Sequence, residues 1–237
     1  VTSRHVSVIV PAFNEALVIK KTIIELLEMA PEFVSRVIVV NDGSTDGTGD
    51  LLRSISNETS YLEVLEHPTN RGFGAAIATG LSRVDSGYVA WLPADGAIDP
   101  SALRLVDAIN DSIPATFGFR HESWVGKRRL VSEGVSNSVK VLFGVDLTNF
   151  SGFFVGEARY FRRLRLLPQS TFFTWQVAIR SHLTTGQLHK SEILLRSRRN
   201  SERTSRAFRL SSLGKGMVEL ISLWVHIRIL RRMRPCE

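Results

Sequence analysis

VSVIVPAFNEALVIKKTIIELLEMAPEFVSRVIVVNDGSTDGT, residues 6–48, decides how this chain folds. VSVIV (6–10) and RVIVV (36–40) are short apolar, β-branched runs of the kind that form buried strands. Between them, EALVIKKTIIELLEMA (15–30) sets Leu17, Ile19, Ile23, Leu26 and Leu27 at helical spacing. Pro11 is expected to stop the first strand and Asn14–Glu15 to start the helix.

The alternation continues. TDGTGDLLRSI (45–55) opens on capping residues and becomes helical, YLEVLEH (61–67) alternates as a strand, and GAAIATGLSRV (74–84) is a helix of small residues. YVAWL (88–92) is a strand, and DPSALRLVDAIN (99–110) begins with an N-cap Asp and a first-turn Pro. Short strands alternating with helices predict an α/β fold: a doubly wound, mainly parallel sheet with helices on both faces. Ligands of such sheets bind at the carboxyl ends of the strands, which points to the loops after residues 10, 40, 67 and 92. Beyond TFGFR (116–120) the alternation loosens. The pattern there predicts a helix over 127–143, a short strand near 152–155, a helix over 172–184, a strand over 189–195 and a last helix from about 211. No repeat and no separable second domain is visible.

The 237 residues suffice for one large domain, with 43% apolar and 22% charged residues. No uncharged apolar run reaches the roughly 18 residues that a membrane span needs. The N-terminus, which opens on Val1, carries no signal-peptide pattern. The single cysteine, Cys236, excludes a disulfide framework and a thiolate metal cluster, and a reducing compartment is expected. The net charge of +7 is uneven: acids concentrate in 1–110, while Arg and Lys crowd 120–129, 159–165, 196–209 and 228–234. Four such clusters in one half of the chain fit a polyanionic partner, although any one of them alone reads better as a solvated face.

Four loops carry the chemistry. PAFNEA (11–16) follows the first strand and NDGSTDGT (41–48) the second; TNRGFGAAIATG (69–80) and PADGAID (93–99) complete the set. An acid at the end of a buried strand is costly unless it binds something, and Gly43 and Gly47 let backbone approach a ligand. GFGAAIATG imitates a dinucleotide fingerprint, but EHPTNR precedes it instead of a strand end, so a dehydrogenase is not expected. His5, His67, His121, His182, His189 and His226 are scattered without metal-ligand spacing, and Trp91, Trp175 and Trp224 are expected in the core or at an interface.

The order VSVIVPAFNE, VIVVNDGSTDGT, NRGFGAAIATGL, YVAWLPADGAIDP resembles the nucleotide-sugar-binding half of family 2 glycosyltransferases with the GT-A fold. FGFR (117–120), KRRLVSEGVSNSVKVLFG (127–144), SGFF (151–154) and the Arg/Ser stretch are similar to the dolichyl- and polyprenyl-phosphate sugar synthase branch. The resemblance implies a glycosyltransferase domain over 1–210, with a nucleotide-sugar half (1–110) and an acceptor half (111–210). An amphipathic basic helix (211–237) would follow. By position, it implies that Pro11, Phe13 and Glu15 contact base and ribose, that Asp42 reads the base, and that Asn70, Arg71 and Gly74 lie under the nucleotide. Ala12, Gly43, Ser44 and Ala94 belong to the same site. Asp95 matches the second acid of a DxD metal motif, for Mg²⁺ or Mn²⁺ bridging the donor diphosphate. Arg120, Arg129 and Ser132 match positions that hold the acceptor phosphate, and with Asp95 they form the implied catalytic set. The implied partners are a GDP- or UDP-type sugar donor and a lipid-phosphate acceptor, not nucleic acid.

The chain departs from that pattern at Pro93 and Ala97, where relatives carry Asp and often Gln, so a weaker metal dependence is expected. Asp99 reads best as a helix N-cap. Thr148, Asn149 and Ser151 replace the acid often found before the GF at 152–153, and Asp146 is displaced from it. A phosphate acceptor is already ionised and needs no base there. A Q-x-x-R-W signature is absent, which argues against a processive polymerase.

GMVELISLWVHIRILRRMR (216–234) projects Glu219, Ser222 and His226 as a narrow polar stripe. Met217, Leu220, Ile221, Trp224, Val225 and Ile227 cover the remainder, and Arg228, Arg231, Arg232 and Arg234 gather at its end. It suits a membrane surface, and equally packing on its own domain or on another subunit of a homo-oligomer. The leading expectation is a cytoplasmic enzyme, peripheral at the inner face of a membrane. A soluble glycosyltransferase with a hydroxyl acceptor is one alternative. A sugar-nucleotide-binding protein with a degraded metal site is the other.

Overall fold

The computed structural model describes residues 4–29, 32–121, 127–170, 172–196, 218–225 and 227. Its elements are β1 (Val6–Ala12), α1 (Ile19–Glu28), β2 (Val34–Asn41), α2 (Thr48–Ser56), β3 (Leu62–Glu66), α3 (Phe73–Ser82) and β4 (Tyr88–Trp91). A 3₁₀ helix (Pro100–Ala108), β5 (Ala115–Arg120), α4 (Lys127–Phe143), β6 (Phe150–Glu157), α5 (Ala158–Arg163), α6 (Phe173–Thr185) and β7 (His189–Ile193) follow. The strands form one sheet in the order β3-β2-β1-β4-β6-β5-β7.

Strands β1, β2, β3 and β4 pair in parallel, β6 runs antiparallel between β4 and β5, and β7 is parallel to β5. The carboxyl ends of six strands therefore share one edge, and β6 begins there. Right-handed crossovers put α1 and α2, which touch each other, on one face. The reversal from β3 to β4 sends α3 to the other face, against α5 and α6. Covered on both sides, β1 and β2 bury Val8, Ile9, Val10, Val37, Ile38, Val39 and Val40. This is why their sequences read as unbroken apolar runs. At Gly80 helix α3 sits so close to β1 that a Cβ would stand 2.5 Å from a methyl carbon of Ile9.

Local expectation and structure part in the following places, and α5 at Ala158–Arg163 has no counterpart in the sequence pattern at all. Pro11 does not stop β1, which continues to Ala12 with Pro11 opposite Val40 of β2. The β1–β4 ladder ends at Ile9 and Trp91, so the missing N–H of Pro11 faces a side with no strand bond to make. Helix α1 starts at Ile19, because Asn14 takes φ 56° and Glu15–Val18 closes as a turn. Leu17 is consequently exposed instead of joining the apolar face. Residues 100–108 wind as a 3₁₀ helix, whose longer rise per residue stretches the segment between two fixed ends. One end is the bridge of Ile98 to Leu195, the other the bridge of Asn110 to Ile113.

The first of these ends ties the two halves of the chain together. Asp99 N–H donates to the Leu194 carbonyl (3.1 Å) and Arg196 N–H to the Ala97 carbonyl (3.0 Å). The Arg196 guanidinium then donates to Asp99 (2.9 Å) and Glu25 (2.5 Å). Asp99 also accepts from Ser101 N–H at 2.8 Å, so it caps the 3₁₀ helix as its sequence position predicts. Burial alone would push the Asp99 carboxyl up, but its bonds from Ser101 and Arg196 outweigh this and hold it below the ordinary carboxylate value.

Residues 218–225 are helical. Leu220 and Leu223 are buried in the core, with Trp224 and Ile227 packed beside them, and Ser170 donates to Glu219 at 3.1 Å. The helix thus packs on its own domain through an i, i+3, i+4, i+7 stripe. The broad apolar face read from the sequence is divided: Val218 (68% exposed), Ile221 (50%) and Val225 (42%) turn outward. His226, the Arg/Ser stretch after Arg196 and the arginines from 228 lie outside the described residues.

Replacing Gly80 with Ala should force α3 off β1 and lower the unfolding free energy by about 1–3 kcal/mol, measured by urea denaturation. Asp99→Ala should cost about 1 kcal/mol at neutral pH through the lost cap. Because the folded carboxyl is depressed, that contribution is complete above the ordinary value of about 3.9 and fades as pH falls through the folded value. Urea titrations of the two proteins should therefore converge in acid.

Candidate active site

The loops that leave the carboxyl edge are bound to one another before any ligand is considered. Asn14 N–H donates to Ser44 Oγ (2.9 Å), Thr45 N–H to Asn14 Oδ1 (2.8 Å) and Glu15 N–H to Thr48 Oγ1 (2.9 Å). Asp46 accepts from the N–H of Thr48 (3.0 Å) and of Ala16 (3.3 Å). Burial tends to raise the Asp46 carboxyl, but the bonds from the Thr48 hydroxyl and these amides hold it below the usual range. The loop after β1 and the loop after β2 are therefore one unit. Ala12 is buried beneath it, and Phe13 and Glu15 are half-buried on it.

Asp42 joins this unit to the loop after β3. Its carboxylate is 3% exposed and accepts from His67 Nδ1 (2.6 Å), Arg71 N–H (2.9 Å) and Gly72 N–H (2.8 Å). Gly43, at φ 69°, allows the approach: a Cβ there would lie 2.5 Å from the Thr69 carbonyl carbon. Asn70 and Arg71 are exposed on the far side of the contact. Gly74 fills a packing role, because a Cβ there would meet the Pro168 carbonyl oxygen at 2.4 Å.

The fourth loop is held from beneath. Thr22 on α1 donates to the Ala94 carbonyl at 2.8 Å, Gly96 N–H reaches the Pro93 carbonyl at 3.1 Å, and Asp95 accepts from Ala97 N–H at 3.1 Å. Asp95 is half-buried at the tip of this turn. Among the described residues no three His, Cys, Asp or Glu side chains gather as a metal cluster. One carboxylate still fits a hard cation that takes its other ligands from a diphosphate and water, the usual habit of Mg²⁺.

Arg120 ends β5 at the same edge and is half-buried, its N–H bonded to the Asn149 carbonyl at 2.9 Å. Arg129 and Ser132 lie on the first half of α4, where Arg129 pairs with Glu133 at 2.7 Å. Among the described residues no hydrogen bond joins either of them to the four loops. Asp146 accepts from Thr148 N–H (2.8 Å). That bond first, then Lys190 and Lys140, keeps its carboxyl below the ordinary value, so it is a poor base. Trp91 donates to the Gly152 carbonyl (2.9 Å) from the core, as its sequence reading has it.

Sequence reading passed over His67, Thr79, Arg196 and Phe73. The exposed Phe73 opens α3 with its ring edge-on to Trp91, centroids 4.9 Å apart. The strand register brings Asp42 and His67 side by side, since Asn41 pairs with Glu66. A periodicity argument does not contain that register.

Comparison with known proteins gives this edge a context. The chain is 30% identical over 159 residues to an undecaprenyl-phosphate mannosyltransferase of Micrococcus luteus, covering 62% of this chain and 63% of that one. It is 35% identical over 102 residues to a dolichyl-phosphate β-glucosyltransferase of Trichomonas vaginalis, covering 40% of this chain and 32% of the other. It therefore spans less than two thirds of the length of these curated relatives. The fold matches a crystal structure of glucosyl-3-phosphoglycerate synthase from Mycobacterium tuberculosis, in complex with Mn²⁺, UDP-glucose and phosphoglyceric acid. The TM-score is 0.69 at 20% identity, over 93% of this chain and 80% of that one. The signature of glycosyl transferase family 2 matches residues 7–166, more than half of the sequence, and the chain belongs to that family.

Proposed function

We propose that the protein transfers a hexose, with inversion, from a nucleotide-diphosphate sugar to a polyprenyl phosphate or similar lipid-linked phosphate. The observation that carries this reading is the loop cluster at the carboxyl edge: three loops cross-bonded through Asn14, Asp46 and Asp42, beside the Asp95 turn. A nucleotide would lie across the cluster against Pro11, Ala12, Phe13, Glu15, Gly43, Ser44, Asn70 and Arg71. The Asp42 carboxylate has about four acceptor positions and the described bonds occupy three, which leaves one on Oδ2 for a base N–H.

Asp95 would hold Mg²⁺ or Mn²⁺, with Ala94 and Gly96 shaping the turn. When bound, the ion neutralises the leaving diphosphate. Pro93 and Ala97 offer it no side-chain ligand, so affinity for the cation would come largely from the diphosphate itself. An acceptor phosphate oxygen attacks the anomeric carbon while the bond to the diphosphate breaks, and the electron pair leaves on the nucleoside diphosphate. Arg120, Arg129 and Ser132 would orient the acceptor, Arg129 by exchanging its Glu133 partner for phosphate. The phosphate arrives ionised, so the low carboxyl of Asp146 is no handicap. A hydroxyl acceptor would need a base that Asp146 is poorly suited to be.

The named relatives are a mannosyltransferase and a glucosyltransferase of lipid phosphates, in keeping with this acceptor class. Among the described residues no helix is long and apolar enough to cross a membrane. Val218, Ile221 and Val225, followed in sequence by Arg228, Arg231, Arg232 and Arg234, would instead rest on an anionic cytoplasmic surface.

A thermal-shift panel of GDP-, UDP- and dTDP-sugars, with and without Mn²⁺, tests the donor. One nucleotide class should raise the melting temperature, and more so with Mn²⁺; a flat response to all would sink the proposal. Asp95→Ala should remove the Mn²⁺ increment and reduce turnover by roughly a hundredfold or more. The protein should co-sediment with phosphatidylglycerol vesicles and not with phosphatidylcholine alone. Changing Val218, Ile221 and Val225 together to Ser should release it.

A further inference from the structure

His67 sits where the nucleotide reading has no task for it. The residue is 7% exposed and follows β3, and its own N–H donates to the Asn41 carbonyl at 2.9 Å. Its ring bridges two elements: Nδ1 lies 2.6 Å from Asp42 Oδ1 and Nε2 lies 3.0 Å from Thr79 Oγ1 on α3. Asp42, in turn, is the shared acceptor for the amides of Arg71 and Gly72. The partners define the protons. An ionised carboxylate only accepts, so Nδ1 carries a hydrogen and donates it to Asp42. The Thr79 hydroxyl either donates to a bare Nε2 or accepts from a protonated one, so no ring atom is left unsatisfied.

We propose that His67 is a positioning residue of the donor site: by fixing the Asp42 carboxylate, it sets the backbone of Asn70–Gly72 against which the nucleotide binds. The inference rests on the glycosyltransferase reading above and adds a residue to it. A carboxylate attached by one rotatable bond could turn away from the two amides. With Nδ1–H on Oδ1, it presents one oxygen to Arg71 N–H and the other to Gly72 N–H, the geometry that the loop requires. Gly72, at φ 94°, is the last residue before α3, so the same contact fixes where that helix begins. Thr79, two turns along α3, braces the far nitrogen. The loop after β2, the loop after β3 and helix α3 are thereby held by one imidazole ring. Burial also shelters this chain of bonds from competition with water, so each bond orients its partner more firmly than a surface bond would. The ligand benefits because the loop is ordered before binding.

Two amide substitutions separate positioning from space filling. In His67→Asn the side-chain NH₂ stands where Nδ1 stood and keeps the bond to Asp42. In His67→Gln the amide lies farther out, near Nε2, and keeps Thr79 but loses Asp42. Both variants are compared with wild type by calorimetry, using the nucleoside diphosphate that best stabilises the full chain, with Mn²⁺ present. His67→Asn should bind within about threefold of wild type, and His67→Gln about tenfold more weakly. Amide hydrogen exchange at Arg71 and Gly72 should accelerate in His67→Gln and stay near the wild-type rate in His67→Asn. Equal affinity in the two variants overturns the assignment. If His67→Gln does not unfold cooperatively, Thr79→Val decides instead: removal of the hydroxyl should weaken nucleotide binding by about threefold, and unchanged affinity overturns the assignment. A wild-type chain that binds no nucleoside diphosphate at all would defeat the glycosyltransferase reading itself, a result distinct from any difference between variants.

Discussion

Ala12, Asn41 and Glu66 stand side by side across three parallel strands, and the loops of the site leave the sheet from that line. The parallel register follows from burial on both faces, since the apolar runs of β1 and β2 must lie between helices. Beyond that line the chain leaves the strands, and the amides of the loops must find partners outside the ladder. The lacing of Asn14 to Ser44 and Thr45, and of Asp42 to Arg71 and Gly72, answers that need.

The same lacing makes the edge suitable for an anionic ligand. Loops that are already bonded lose little freedom when something binds, and Gly72, where a Cβ would meet nothing within 4 Å, leaves backbone accessible. The fourth loop is built differently. It is anchored from the core by Thr22 and from the second half of the chain by residues 194–196. Asp95 at its tip therefore depends on both halves, and so does any cation it would hold.

Charge follows the same division. The acid-rich first half supplies the loops, and the second half brings arginines to the edge through Arg120 and Arg196. Arg196 spends its charge on Asp99 and Glu25, so it acts in assembly. Arg129 is likewise paired, although its partner Glu133 is on the same helix and the pair is solvent-exposed, so the partner is easily exchanged. A count of basic residues in the sequence does not separate these roles.

The alternation of strand and helix, the positions of the four loops, the span of α4 at 127–143 and the capping task of Asp99 were all legible in the sequence. Each is a local property: a periodicity of side chains, a turn-forming pair, or a short polar residue before a helical Pro. Tertiary structure decided the rest. Pro11 stays in its strand because β4 stops short of it, and Leu17 is exposed because Asn14 turns the chain. The C-terminal helix divides its apolar residues between the core and the outside because a helix lying on a domain buries the face it turns to that domain and leaves the opposite face outward. His67, one of several scattered histidines in the sequence, becomes the neighbour of Asp42 only when β2 and β3 pair in register. Spacing along a chain fixes which residues share a face of one element, whereas contact between elements depends on how their faces pack, and packing is a property of the whole fold.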